Sequence, residues 1–114
     1  MRKLRTWREV LIEQLAANRA EAIGYLKLSI EEYQVDGDTS LLLLALRTFL
    51  ESQGGISELA KKTGINSQDI SKILSGDKPP SLDTLSAILK AFGCRISIEL
   101  IEEVNPDLAL TSAD

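Results

Sequence analysis

A chain of 114 residues with 44% hydrophobic content is long enough to bury one real core and too short for two independent domains. It has no histidine and one cysteine, Cys94, so a Cys/His metal site, a catalytic Cys/His pair and an internal disulfide are all excluded, in keeping with a reducing compartment. No glycine-rich phosphate loop and no cleft-bound carboxylate pair is evident either, so the expectation is a non-enzymatic protein without cofactor or metal.

The net charge of −4 argues at first against a nucleic-acid partner, but its distribution does not. From Cys94 onward, Arg95 stands alone against Glu99, Glu102, Glu103, Asp107 and Asp114, which accounts for the whole net charge. Between Thr39 and Gly93 six bases (Arg47, Lys61, Lys62, Lys72, Lys78, Lys90) face five acids (Glu51, Glu58, Asp69, Asp77, Asp83). Electrostatic binding is decided locally, over a Debye length of about 8 Å at physiological salt.

In chain order, MRKLRTWREVLIEQL is basic, but charges interrupt its apolar positions, so it is not expected to be a signal peptide. Trp7, Val10, Leu11 and Leu15 have helical spacing and predict a helix from Leu4 to about Ala17. A second follows over Ala20–Tyr33, with Ala20, Ile23, Leu26, Ile30 and Tyr33 on one side and Glu21, Lys27 and Glu31 on the other; Gly24 weakens it by about 1 kcal/mol relative to Ala. Residues 1–38 thus form an amphipathic helical arm, which either packs on the core or offers a face to a protein partner. Val35–Thr39 is a polar linker in which Asp38 or Thr39 can cap the next helix.

LLLLALRTFLESQ is apolar nearly all round from Leu41 to Leu46, so this helix should be buried from more than one direction, ending at Gly54-Gly55. The Leu41–Leu44 run is far too short to span a bilayer, and a cytoplasmic protein is expected. ISELAKKTGINSQDISKI, residues 56–73, then reads as two short helices: Ile56, Leu59 and Ala60 make one inward face, Ile65, Ile70, Ile73 and Leu74 the other. Gly64 breaks them, because the residue after a helix often takes positive φ. Asn66 caps the second, with Asp69 near the positive end of its dipole, and small Ala60 lets the two approach. Helix, tight turn, helix is the DNA-binding helix-turn-helix pattern.

Ser75-Gly76 stops that second helix and GDKPP forms a loop; Ser81 then caps a helix with Leu82, Leu85, Ile88, Leu89 and Phe92 as its core face, ended by Gly93. Ile96, Ser97, Ile98, Glu99 and Leu100 alternate, predicting a strand over Arg95–Glu102. A lone strand needs a partner: the same strand of a second copy, paired through Ile96, Ile98 and Leu100, a strand of another protein, or else the segment is a final helical turn. Residues 39–104 make the helix-turn-helix domain with this dimerisation strand, and 105–114 form a tail.

On a recognition helix begun by Asn66, the early outward positions are Ser67, Gln68, Ser71 and Lys72, the base-reading candidates: Gln bonds an adenine edge, Lys reaches guanine O6 or N7, and Ser is permissive. Ser57, Lys61, Lys62 and Lys78 are candidates for phosphate. With so few bases, double-stranded DNA with a palindromic operator would be bound by a homodimer.

The stretch LALRTFLESQGGISELAKKTGINSQDISKILSGDKPPSLDTLSAILKAFGCRISIE resembles the Xre-type, lambda-repressor-like helix-turn-helix fold, and is most similar to the HigA-like antitoxins of addiction modules. The shared pattern is an ALR-type helix, GG(I/M)SxLA, TG(I/L)N, a recognition helix ending in LS, a proline loop, a TLxxxLKAxG helix and a short terminal strand. It covers roughly residues 20–101, with Gly24-Tyr25-Leu26 matching an upstream YL-containing helix. The resemblance implies an all-α bundle with one terminal strand, and a dimeric antitoxin that represses its own operon and neutralises a RelE-like ribonuclease toxin. The recognition helix is SQDISKIL where the family has RESLYKAL-like sequences, so the operator does not carry over. A standalone Xre-type repressor and a protein-interaction module that has lost DNA binding are the alternative readings.

Overall fold

The computed structural model describes residues 5–100, which form six α-helices: α1 Trp7–Ala17, α2 Arg19–Asp36, α3 Thr39–Ser52, α4 Gly55–Thr63, α5 Ser67–Ser75 and α6 Leu82–Ala91. Short polar side chains start five of them. Thr6, Asn18, Asp38, Asn66 and Ser81 each accept a hydrogen bond from a backbone N–H in the first turn, which satisfies one of the donors a helix start leaves free. At α1 the arrangement is reciprocal, since the Glu9 carboxylate also accepts the Thr6 N–H at 2.8 Å. Glycines in the left-handed region close α2 at Gly37 and α4 at Gly64.

The core is organised around α3, which packs against α1, α2, α4 and α5, while α6 packs on α4. Leu46, Phe49 and Leu50 of α3 are no more than 1% exposed and meet Leu59 of α4, Leu74 of α5 and Ile88 of α6 in one cluster. Phe92 closes it edge-on against Phe49, with centroids 5.0 Å apart and an interplanar angle of 84°, a favoured aromatic geometry. Leu15, Ala22 and Leu26 extend the cluster to α1 and α2, so the N-terminal arm packs on its own core.

The helical faces differ from the sequence expectation at their ends. Trp7 and Leu82 are 76% and 69% exposed, because each is the first residue of its helix and lies beyond the packed turns. Ala20 is exposed and Ala22 takes the buried place. Val35 and Asp36, expected in a linker, are the last turn of α2. Leu41 and Leu44 remain exposed on α3, since its outer side near the N-terminus is not covered.

The expected strand over 95–102 is not formed. Residues 95–100 carry no regular structure, and residues 101 and 102 lie outside the described residues. The reason is the one that made a partner necessary: among the described residues there is no strand to supply ladder hydrogen bonds. Ile98 and Leu100 are 99% and 95% exposed, and Ile96 is 42% exposed. Among the described residues the fold is therefore all-α.

Candidate nucleic-acid interface

The helix-turn-helix unit is α4, the turn at residues 64–66, and α5. The turn is built from three local bonds. The Gly64 N–H donates to the Ala60 carbonyl at 2.8 Å, the Thr63 hydroxyl donates to the Leu59 carbonyl at 2.8 Å, and the same hydroxyl oxygen accepts the Ile65 N–H at 3.2 Å. Asn66 then caps α5 through its side-chain oxygen, which accepts the Gln68 N–H at 2.7 Å.

Ile70 and Leu74 anchor α5 in the core at 3% and 1% exposure, and Ile73 is half-buried. With that face committed, Ser67, Gln68, Ser71 and Lys72 are all exposed on the remaining face. The structure thus brings all four base-reading candidates together on one short helix. Asp69 is exposed in the first turn, where a carboxylate favours the positive helix end but repels a phosphate.

The phosphate candidates are more dispersed. Ser57 is exposed in the first turn of α4, whose N-cap Gly54 has no side chain to satisfy the free N–H groups. Lys78 is exposed in the loop between α5 and α6. Lys61 and Lys62 lie in the last turn of α4, where cations suit the negative end of the helix. The Lys62 ammonium sits 5.5 Å from the centre of the Phe92 ring, so this lysine also has a packing role against the end of α6.

Two arginines that sequence reading did not single out make long-range bonds, one to the unit and one beside it. Arg47 of α3 donates to the Leu74 carbonyl at 2.7 Å, putting a positive charge at the C-terminal end of α5 and fixing that helix to the central one. Arg19, at the start of α2, donates to the Phe92 carbonyl and ties the arm to the end of α6. The signal for Arg47 was available: it is the one charged residue in the apolar run from Leu41 to Leu50. Nothing in the local pattern around Arg19 marks a bond to a residue so distant in sequence.

Residues 46–98 match the family model described as helix-turn-helix, a stretch running from α3 through α6 and a few residues beyond. That stretch contains the whole α4–turn–α5 unit. No curated protein and no solved structure matches the chain. Among the described residues no helix is long and apolar enough to cross a membrane.

Proposed function

We propose that this chain is a sequence-specific transcriptional regulator that lays α5 in the major groove of operator DNA. The match to the helix-turn-helix family supports DNA binding as the general role. The observation that carries the specific reading is the division of α5, with Ile70 and Leu74 buried and Ser67, Gln68, Ser71 and Lys72 exposed. Gln68 and Lys72 are the strongest readers, through adenine N6/N7 and guanine O6/N7, while Ser57, Lys61, Lys62 and Lys78 steady the backbone.

The reading extends to a homodimer on a palindromic site, joined through Ile96, Ile98 and Leu100, and to an antitoxin that represses its own operon and restrains a RelE-like toxin. What supports the antitoxin part is the resemblance of the motif order alone, including Gly24-Tyr25-Leu26 upstream of the matched stretch. Co-expression with the neighbouring reading frame tests it: co-purification and relief of growth arrest are expected, and their absence leaves a standalone repressor.

DNA binding is tested by retention of the chain on its own promoter. Lys72→Ala should weaken retention and relax the preference for guanine at one position of each half-site, whereas Lys78→Ala should weaken retention on any sequence and lower the slope of log affinity against log salt by about one per protomer. No retention at low salt would leave an interaction module without DNA binding.

A further inference from the structure

We propose that the groove between α2 and α3 is a docking site for a basic, leucine-bearing segment of a partner protein. The inference goes beyond the DNA reading, since every groove-lining residue lies in α2, in α3 or at the α3 N-cap, and none in α4, α5 or α6.

The groove encloses about 210 Å³. Its apolar surface comes from Tyr25 and Tyr33 of α2 and from Leu41, Leu42, Leu44 and Ala45 of α3, of which Leu41 and Leu44 are the exposed ones. Those two leucines are 58% and 38% exposed on a helix whose Leu42, Leu43, Leu46 and Leu50 are all at most 5% exposed. They are three residues apart, so they neighbour each other along one side of α3.

Charge decides what fits. Glu32, Asp36 and Asp38 line the groove, and no lysine or arginine does. The sequence has no base at all between Lys27 and Arg47. A nucleic-acid backbone is repelled by such a rim, whereas lysines or arginines flanking an apolar anchor are matched by it. The volume also selects: small-molecule sites enclose about 300–1,000 Å³, so this groove suits one or two inserted side chains rather than a whole ligand. An amphipathic segment that inserts leucines and sets its cations against the rim satisfies both features.

The carboxylates can be neutralised without breaking the fold. Asp38 caps α3 by accepting the Leu41 N–H, and Asp36 accepts the Asp38 N–H at 2.9 Å; Asn keeps an acceptor oxygen at both places. The experiment is an NMR titration of the full isotope-labelled chain with a synthetic amphipathic leucine–lysine peptide. A lysine–glycine peptide of equal charge and a glutamate–leucine peptide serve as controls.

The leucine–lysine peptide should shift the signals of Tyr25, Tyr33, Leu41 and Leu44, with both controls about tenfold weaker or worse. The triple variant Glu32→Gln, Asp36→Asn, Asp38→Asn should lose about tenfold in affinity while its retention on promoter DNA is unchanged. Leu41→Ser, at an exposed position, should also weaken the peptide. Equal binding of the lysine–glycine peptide, shifts mapping elsewhere, or an unaffected triple variant would overturn the proposal. So would loss of self-association in that variant, which would make a second copy the occupant. Failure to bind DNA would remove the regulator reading and leave the peptide result standing.

Discussion

Three glycines illustrate how far one residue's conformation decides its replaceability. Gly24 is a helical residue without positive φ, and a Cβ built there meets nothing within 4 Å. Gly24→Ala should therefore stabilise the protein by about 0.5–1 kcal/mol, because Gly loses more freedom on folding than Ala. Gly64 has equally open surroundings but φ +76°, so Gly64→Ala carries the left-handed penalty alone, about 1–2 kcal/mol. Gly54 has φ +105° and a Cβ there would lie 2.9 Å from Cβ of Glu58, so Gly54→Ala adds a clash with the Glu58 side chain at its root and should be the worst of the three. Thermal or denaturant unfolding orders them directly. A Gly24→Ala variant less stable than the parent, or a Gly64→Ala variant as damaging as Gly54→Ala, would contradict the conformational account.

At the scale of the helix, the caps control where segments begin, and one of them is pH-dependent. The Glu9 carboxylate has its pKa lowered, chiefly by the hydrogen bond from the Thr6 N–H, then by the Thr6 hydroxyl, with a smaller contribution from Arg5. A lowered folded-state pKa means the unfolded chain binds the proton more readily. The contribution to α1 is thus complete above the ordinary glutamate value of about 4.3 and is lost as pH falls through the lower folded value. Acid titration followed by NMR should show the Thr6 and Glu9 amides moving together with a midpoint below that of an unstructured glutamate, and Glu9→Gln should abolish the acid transition while keeping a side-chain acceptor for the Thr6 N–H. A midpoint at the ordinary value would mean the reciprocal cap does not persist in solution. This cap also shows what could be read in advance. Asn66 and Ser81 were legible, and Asp38 as one of two candidates beside Thr39, because each precedes an apolar pattern after a break in the chain, and the α4–α5 pair followed from Gly64 and the inward face on either side of it. Thr6 was not, since the apolar spacing continues back to Leu4 and hides the start at Trp7. The exposed face of α5 needed only local helical period. Arg19 and Lys62 needed contacts between elements far apart in sequence, and the acidic groove needed the packing of α2 on α3; periodicity carries neither.

For the molecule as a whole, the segment at residues 95–100 is where the proposed homodimer would be joined. Ile98 and Leu100 leave nearly their full surface to solvent, and neither belongs to the core cluster that holds α1 to α6 together. If the segment pairs with its counterpart in a second copy, the ladder satisfies backbone groups that a single chain leaves free and covers those side chains. The two α5 helices are then related by a two-fold axis, as a palindromic operator requires. Dimerisation and folding should therefore separate. Ile98→Asp should leave the unfolding transition of the dilute monomer within about 0.5 kcal/mol of the parent, as a surface change does, because no buried contact is lost. The same variant should sediment as a monomer at concentrations where the parent is dimeric. Its operator affinity should fall steeply, since two linked half-site contacts become two independent weak ones. Analytical ultracentrifugation and a DNA-binding titration on the same preparation distinguish the outcomes. A variant that remains dimeric would place the two-fold contact elsewhere, with the exposed leucines of the α2–α3 groove as the next surface to disrupt.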